Sequence, residues 1–206
     1  MKKSALIIVD VQNDFITGSL ALLKCKAHQD GAEVVQSINQ LLNKKRQKFD
    51  LIVYTMDYHP PDHISFSRWP VHCVANTWGA KLHCELMLLN NNNDGDQQNQ
   101  QNVLIIKKGT DKHIDSYSAF WDNEHRSETE LNTKLKQENI ENVFICGLAL
   151  DFCVYYTAMD SAKEGYNTYI IKDCCRSMNG DDSQETIEQR RNLKQFGIKL
   201  IITSEV

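Results

Sequence analysis

Residues 5–10 read ALIIVD, an unbroken apolar run that stops at an aspartate, Asp10. A strand that is apolar at every position, rather than at alternate positions, is buried on both faces of its sheet. Such strands are typical of a parallel sheet that carries helices on each side. The segment therefore predicts a central strand of an α/β protein.

Similar runs recur along the chain and alternate with amphipathic helical segments. The predicted strands are Ala5–Asp10, Leu51–Thr55, Val103–Lys107, Asn142–Gly147, Thr168–Asp173 and Lys199–Ser204. Helices are predicted over residues 31–48, from a capping box at Ser127 and Glu130 to Gln137, over Cys153–Glu164 and over Ser183–Phe196. This alternation predicts a doubly wound, mainly parallel six-stranded sheet with helices on both faces.

Length and charge bound the class of protein. The 206 residues predict one domain over residues 1–206, and the net charge of −4 disfavours a nucleic-acid partner. No apolar run approaches the ~18–20 residues of a membrane span, so we expect no membrane partner. Asn90–Asn102 contains no apolar side chain, which predicts a low-complexity surface insertion. The sequence is compatible with a homo-oligomer.

The seven cysteines are scattered through apolar segments, and none forms a CxxC pair. A structural zinc ribbon needs such pairs, so this class is disfavoured. Scattered thiols are typical of a reducing compartment, and we expect a cytoplasmic protein with at most one or two chemically special cysteines.

Parallel sheets place their functional sites beyond the carboxyl ends of the strands. The segment DYHPPDH, residues 57–63, follows the second strand. Asp57 and His59 alternate, so an extended backbone points a carboxylate and an imidazole the same way, which suits a divalent metal. The alternative is a polar loop stiffened by Pro60 and Pro61.

The segment WPVHC, residues 69–73, adds His72, which would complete a site of two histidines and one carboxylate. His63 would be an optional fourth ligand.

The segment GLALDFCV, Gly147–Val154, joins the fourth strand to a helix. Cys153 would lie in the first helical turn, with Asp151 near the N-cap. A helix N-terminus lowers the pKa of a thiol and can hold an oxyanion, so Cys153 is a candidate nucleophile. The alternative is a small buried cysteine. Asp10 and Lys108 end other strands and would serve as base and cation if they converge on Cys153.

Taken together, these segments resemble the isochorismatase-like cysteine hydrolases, in their nicotinamidase branch. The resemblance is carried, in the family's order, by ALIIVDVQNDFITGSL (5–20), DYHPPDHISF (57–66), WPVHC (69–73), VLIIKKGTDKHIDSYSAF (103–120) and GLALDFCV (147–154). It implies hydrolysis of nicotinamide to nicotinate and ammonia, a step of NAD salvage, through a thioester intermediate. The alternatives are a relative that acts on a carbamoyl or ureido compound, and a non-catalytic binding protein on the same fold.

The resemblance also implies roles for individual residues. Asp10 would take the thiol proton, Lys108 would hold the thiolate, and Cys153 would attack the carboxamide carbon. The backbone N–H groups of Ala149 and Cys153 would line the oxyanion hole, with a cis peptide bond from Leu148 to Ala149.

The remaining implied residues hold the metal and the substrate ring. Asp57, His59 and His72 would bind one divalent ion, with zinc expected first and iron or manganese as alternatives. Phe15 and Trp69 would form aromatic walls for a flat substrate ring, and the alternative for both is ordinary core packing.

Overall fold

Six strands form one sheet in the computed structural model, which describes residues 2–89, 102–180 and 182–206. The strands are β1 Lys3–Val9, β2 Leu51–Asp57, β3 Asn102–Lys108, β4 Ile140–Leu148, β5 Asn167–Arg176 and β6 Lys199–Ile201. Their order is β3-β2-β1-β4-β5-β6, and every pairing between them is parallel. Ala5–Val9 at the centre are fully buried, which explains the unbroken apolar run. The predicted fold class is confirmed.

The helices lie in the connections between the strands. They are α1 Asn13–Ile16, α2 Glu33–Lys45, α3 Leu131–Gln137, α4 Tyr155–Lys163 and α5 Gln184–Gln195. The chain runs outward from β1 to β3, then crosses back and runs from β4 to β6 in the opposite direction. Because such crossovers are right-handed, this reversal puts α2 on one face and α3, α4 and α5 on the other. No helix among the described residues is long and apolar enough to cross a membrane.

Two predicted boundaries are wrong. α3 begins at Leu131 rather than after a capping box at Ser127: the N-cap residue Glu130 makes no side-chain cap, and the Thr129 hydroxyl accepts the Leu131 N–H at 3.1 Å. The last strand ends at Ile201 instead of Ser204. There the chain turns away because the Thr203 amide and hydroxyl both donate to the carboxylate of Asp173. At the end of β6, a contact from another part of the chain thus outweighs the local pattern.

The predicted insertion Asn90–Asn102 lies outside the described residues except for Asn102, which is the first residue of β3. Just before it, the chain is held by the hydroxyl of Tyr54, which donates to the Met87 carbonyl at 2.8 Å and accepts from the Leu89 amide at 3.2 Å. The surface insertion and the single domain over residues 1–206 stay predictions.

The reversal of direction between β1 and β4 opens a crevice at the carboxyl ends of these strands, where doubly wound sheets bind their ligands. β1 and β4 approach closely there, since Val9 pairs with Gly147. Gly147 has φ of +116°, and a Cβ at this position would collide with the backbone of Val9. Only glycine lets the two strand ends meet at this distance.

Asp14 ties the loops around this crevice together. Its carboxylate accepts the backbone N–H of Ser19 at 3.1 Å and that of Cys73 at 2.7 Å. Gly18 and Gly79 pack directly against it, and a Cβ on either would collide with the carboxylate. The loop that carries His72 is therefore held by a buried carboxylate with no spare room around it.

We expect Gly79→Ala to lower the free energy of unfolding by about 1–3 kcal/mol, because the added methyl group must displace the Asp14 carboxylate from its hydrogen bonds. Gly180→Ala is the matched control, since a Cβ there meets nothing within 4 Å; it should change the value by less than about 0.5 kcal/mol. Urea unfolding followed by circular dichroism measures both. Equal values for the two variants would contradict the close packing around Asp14.

Candidate active site

A buried ammonium group lies where β1, β2 and β3 end. Lys108 is 2% exposed, and its Nζ donates to Asp57 Oδ1 and to the Ser116 carbonyl, the latter at 2.9 Å. It also lies 2.9 Å from Asp10 Oδ2 and 3.4 Å from Cys153 Sγ. The structure therefore brings the three predicted residues Asp10, Lys108 and Cys153 together, with Asp57 as a fourth member.

One carboxylate oxygen of Asp10 is bound by Thr55, and the other lies beside Lys108. The Thr55 hydroxyl donates to Oδ1 at 2.5 Å and accepts the Asp10 backbone N–H at 3.1 Å. Oδ2 is buried and accepts no hydrogen bond of good geometry from the residues that the structure describes, although Lys108 is near. Oxygen or sulfur atoms of Asp10, Asp57 and Cys153 lie within 4.8 Å of one another. Asp10 is thus placed to accept a proton from the thiol.

The two carboxylates differ in their pKa. Burial raises the pKa of Asp10 above its ordinary value, and the charge on Lys108 offsets only part of that rise. Burial acts in the same direction on Asp57, but Lys108, His59 and His72 outweigh it and lower its pKa. For Lys108, both carboxylates outweigh burial and raise its pKa well above the ordinary value. Lys108 therefore stays charged, and Asp10 is the better proton acceptor.

The expectation of a lowered thiol pKa is wrong. Burial raises the pKa of Cys153 well above its ordinary value; Lys108 lowers it, while Asp10 and Asp57 raise it further. Cys153 lies in a π-helical turn, Leu150–Val154, and the regular helix α4 begins only after it. The thiol therefore keeps its proton at neutral pH until a base removes it.

Asp151 lies in the first turn, near the N-cap as predicted, but its side chain does not cap the turn. The N-cap residue is Ala149. The Asp151 carboxylate instead accepts the backbone N–H groups of Met178 at 2.9 Å and Asn179 at 2.6 Å. Its partners come from the segment after β5, so Asp151 ties the cysteine turn to a distant loop.

The main chain around Ala149 has the expected form. The peptide bond from Leu148 to Ala149 is cis. The Ala149 carbonyl accepts the N–H groups of Phe152 at 3.0 Å and Val154 at 3.1 Å. The assignment of the Ala149 and Cys153 amides to an oxyanion hole stays a prediction.

Asp57, His59 and His72 form a cluster whose potential ligand atoms lie within 4.8 Å of one another. The Gly109 carbonyl accepts from His59 Nδ1 at 2.8 Å and the Pro70 carbonyl accepts from His72 Nδ1 at 2.7 Å. These contacts assign the proton to Nδ1 in both rings and leave the Nε2 lone pairs free.

A divalent ion fits this donor set. His59 Nε2 is buried without a hydrogen-bond partner among the described residues and lies 3.7 Å from Asp57 Oδ2. A buried lone pair beside a carboxylate is the arrangement that a zinc-class cation satisfies. Gly109 has φ of +63°, and any Cβ there would collide with the His59 ring.

His63 stacks on His59 with a centroid distance of 4.0 Å. Its Nδ1 accepts from the Ser65 backbone and side chain, and its Nε2 contacts the Ile114 carbonyl at 3.3 Å. Both ring nitrogens thus have protein partners. His63 Nδ1 or Nε2 nevertheless lies within 4.8 Å of ligand atoms of His59 and Asp115, so its place as a fourth ligand stays a prediction.

A pocket joins the thiol to this cluster. It is lined by Phe15, Leu20, Asp57, Trp69, His72, Asp115, Tyr117, Ala149, Phe152, Cys153 and Met178. Phe15 packs against His72 at 5.7 Å, and Trp69 meets Phe152 edge-on at 5.2 Å. Both predicted aromatic residues therefore line the pocket, and their substrate contacts stay a prediction.

The sequence reasoning missed several residues that support or line the site. Gln12 is fully buried; its Nε2 donates to the carbonyls of Asp57 and Ala80 at 2.8 Å, and its Oε1 accepts the Asp57 N–H at 2.9 Å. Its polar side chain, only two residues after Asp10 at the end of an apolar strand, could have identified Gln12 from the sequence. Leu20, Tyr117, Phe152 and Met178 carry no comparable sequence signal.

Comparisons with known proteins agree with this geometry. The family model described as the isochorismatase domain matches residues 4–204. The chain belongs to the isochorismatase family. Within the family, a nicotinamidase of Acinetobacter baylyi is 40% identical over 200 residues, which cover 85% of this chain and 83% of that protein.

Solved structures of the same family superpose over nearly the whole chain. The yeast nicotinamidase Pnc1p bound to the inhibitor nicotinaldehyde has a TM-score of 0.81 and 31% identity, covering 97% of this chain and 99% of that chain. The pyrazinamidase of Pyrococcus horikoshii in complex with zinc has a TM-score of 0.76 and 31% identity, with the same coverage.

We expect alkylation of Cys153 by iodoacetamide, in protein stripped of divalent ions, to keep accelerating with pH beyond pH 9. The reason is that the thiolate forms only above the raised pKa. Mass spectrometry of the Cys153 peptide measures the rate, with the exposed Cys84 as internal reference. A rate that levels off near pH 6–7 would show a lowered pKa and contradict the electrostatics of the site.

Proposed function

We propose that this member of the isochorismatase family is a metal-dependent cysteine amidohydrolase that converts nicotinamide to nicotinate and ammonia. One observation carries the proposal: Asp57 contacts Lys108 with one oxygen and faces His59 with the other. Asp57 thereby belongs both to the charged cluster around the Cys153 thiol and to the set of metal ligands with His59 and His72. Because both groups line one pocket, a single small amide can reach both. The nicotinamidases among the relatives support this choice of amide.

In the proposed mechanism, the Cys153 thiol passes its proton to Asp10 Oδ2 as the sulfur attacks the carboxamide carbon. Lys108, at 3.4 Å from the sulfur, stabilises the negative charge that develops there. The backbone N–H groups of Ala149 and Cys153 donate to the oxyanion of the tetrahedral intermediate.

Asp10 then returns the proton to the leaving nitrogen, and ammonia departs from a thioester on Cys153. Water attacks the thioester with Asp10 again as base, which releases nicotinate and restores the thiol. The raised pKa of Asp10 suits a group that both accepts and donates the same proton.

Asp57, His59 and His72 would hold the divalent ion, for which we propose zinc, with iron and manganese as alternatives. The zinc complex of the Pyrococcus pyrazinamidase supports this choice. When bound, the ion supplies a coordination position for the ring nitrogen and so orients the carboxamide toward Cys153. Phe15 and Trp69 would hold the flat ring between them.

We further propose pyrazinamide as a second substrate, because its ring also has a nitrogen in the position needed. We place the reaction in the cytoplasm, since all seven cysteines are unpaired and the proposed nucleophile must stay reduced.

The purified protein should release ammonia from nicotinamide, and Cys153→Ala should lower kcat/KM by more than about 10³-fold because the attacking atom is gone. Cys84→Ala removes an exposed thiol and should have no effect. An enzyme-coupled ammonia assay measures both variants and compares nicotinamide, pyrazinamide and N-carbamoyl compounds. Activity of Cys153→Ala within tenfold of the unmodified protein, or a preference for carbamoyl compounds, would refute the proposal.

His59→Ala should reduce bound metal and lower kcat/KM for nicotinamide by about 100-fold through lost orientation. Benzamide lacks the ring nitrogen, so it should be a poor substrate of the unmodified protein and lose far less. The control is His113→Ala, which alters an exposed histidine outside the cluster. Elemental analysis measures the bound metal, and kcat/KM is measured for both amides in both proteins. An equal loss of kcat/KM for nicotinamide and benzamide would mean that the ion does not anchor the ring.

A further inference from the structure

The pocket is lined by both polar and apolar side chains. The proposed function places the ring nitrogen and the carboxamide against Asp57, His72 and Cys153. The edge of the ring away from these two anchors, carbons 4 to 6, must then face the apolar lining. Leu20, Phe152 and Met178 belong to that lining. Groups that bound this edge decide which substituted rings fit.

The backbone of Met178 is held by two separate segments of the chain. Its N–H donates to Asp151 Oδ1 at 2.9 Å, and its carbonyl accepts the N–H of Ala27 at 2.9 Å. The preceding residue, Ser177, donates its N–H to Gln29 Oε1 at 2.7 Å. The side chain is only 6% exposed, so it cannot turn out to solvent without breaking this packing.

The same contacts fix Met178 relative to the thiol. Asp151 lies two residues before Cys153 in the π-helical turn and accepts a second amide, that of Asn179, at 2.6 Å. The Asp151 carbonyl is in turn held by Gln189 Nε2 at 2.8 Å. The turn that carries the thiol and the segment that carries Met178 are therefore linked directly by the Asp151 carboxylate.

We infer that Met178 is a specificity-determining residue that limits the size of the ring edge opposite the two anchors. The inference rests on the proposed function. A thioether chain packs closely but adapts its shape, whereas the aromatic members of the lining are stiff. An apolar pocket discriminates one methyl group by roughly 10–200-fold, so a single side chain at this place can govern substrate range.

The test compares kcat/KM for nicotinamide with that for 5-methylnicotinamide and 6-methylnicotinamide. For whichever methylated amide is the better substrate, Met178→Ala should raise the ratio of its kcat/KM to that of nicotinamide by about tenfold. The reason is that the shorter side chain opens space at the ring edge. Met178→Leu conserves volume and should keep the ratio within about twofold. The matched control is Met159→Ala, which removes a methionine of similar burial, 8% exposed, from a position outside the pocket lining.

Met178→Val provides the same test with a smaller deletion if the alanine variant does not fold, and its ratio should move in the same direction. The inference is overturned if both variants keep the ratio of the unmodified protein, or if Met159→Ala raises it equally. Failure of the unmodified protein to hydrolyse nicotinamide would instead refute the proposed function. The two failures are therefore distinguishable.

Discussion

The site depends on one buried ammonium group, that of Lys108, held between the carboxylates of Asp10 and Asp57. A buried charge is tolerated only when partners of opposite sign surround it, and removal of one partner leaves the others uncompensated. The parallel sheet supplies this arrangement directly. Asp57 and Lys108 are register partners at the ends of β2 and β3, and Asp10 follows the adjacent strand β1. Three neighbouring strands thus end in mutually dependent charges.

Asp57 links this charge cluster to the metal-type cluster, and the surrounding backbone holds it in that double role. Gln12 binds both the N–H and the carbonyl of Asp57 from the loop after β1. Gly109, the residue after Lys108, accepts from His59 and leaves room for its ring. A change in any of these supports would therefore move the thiol environment and the metal donors together. The proposed chemistry needs this coupling, because one small substrate must contact both.

Buried carboxylates also organise the loops, by accepting backbone amides rather than by forming ion pairs. Asp14 fixes the segment that carries His72, and Asp151 fixes the segment that carries Met178. Each carboxylate accepts backbone N–H groups with both of its oxygens. Such hydrogen bonds fix the position of a loop more tightly than an apolar contact does. The walls of the pocket are thus as well placed as its reactive groups.

The sequence by itself determined the strands, their parallel arrangement and the residues at their ends. An unbroken apolar run indicates a strand that is buried on both faces, as β1 is, and the residues that follow parallel strands lie along one edge of the sheet. That is why the sequence alone identifies Asp10, Asp57 and Lys108 as candidate site residues, whereas their convergence on Cys153 is a property of the tertiary structure. The segment around Cys153 could also be identified from the sequence, through its resemblance to a known family.

Only the tertiary structure decided how these groups behave. The pKa of Cys153 is raised, not lowered, because burial and two carboxylates from other strands outweigh the local helix turn. Asp151 binds the amide of Met178, 27 residues away, instead of capping its own turn. Local patterns carry no information on such partners, since desolvation and long-range contacts arise only when distant segments pack together.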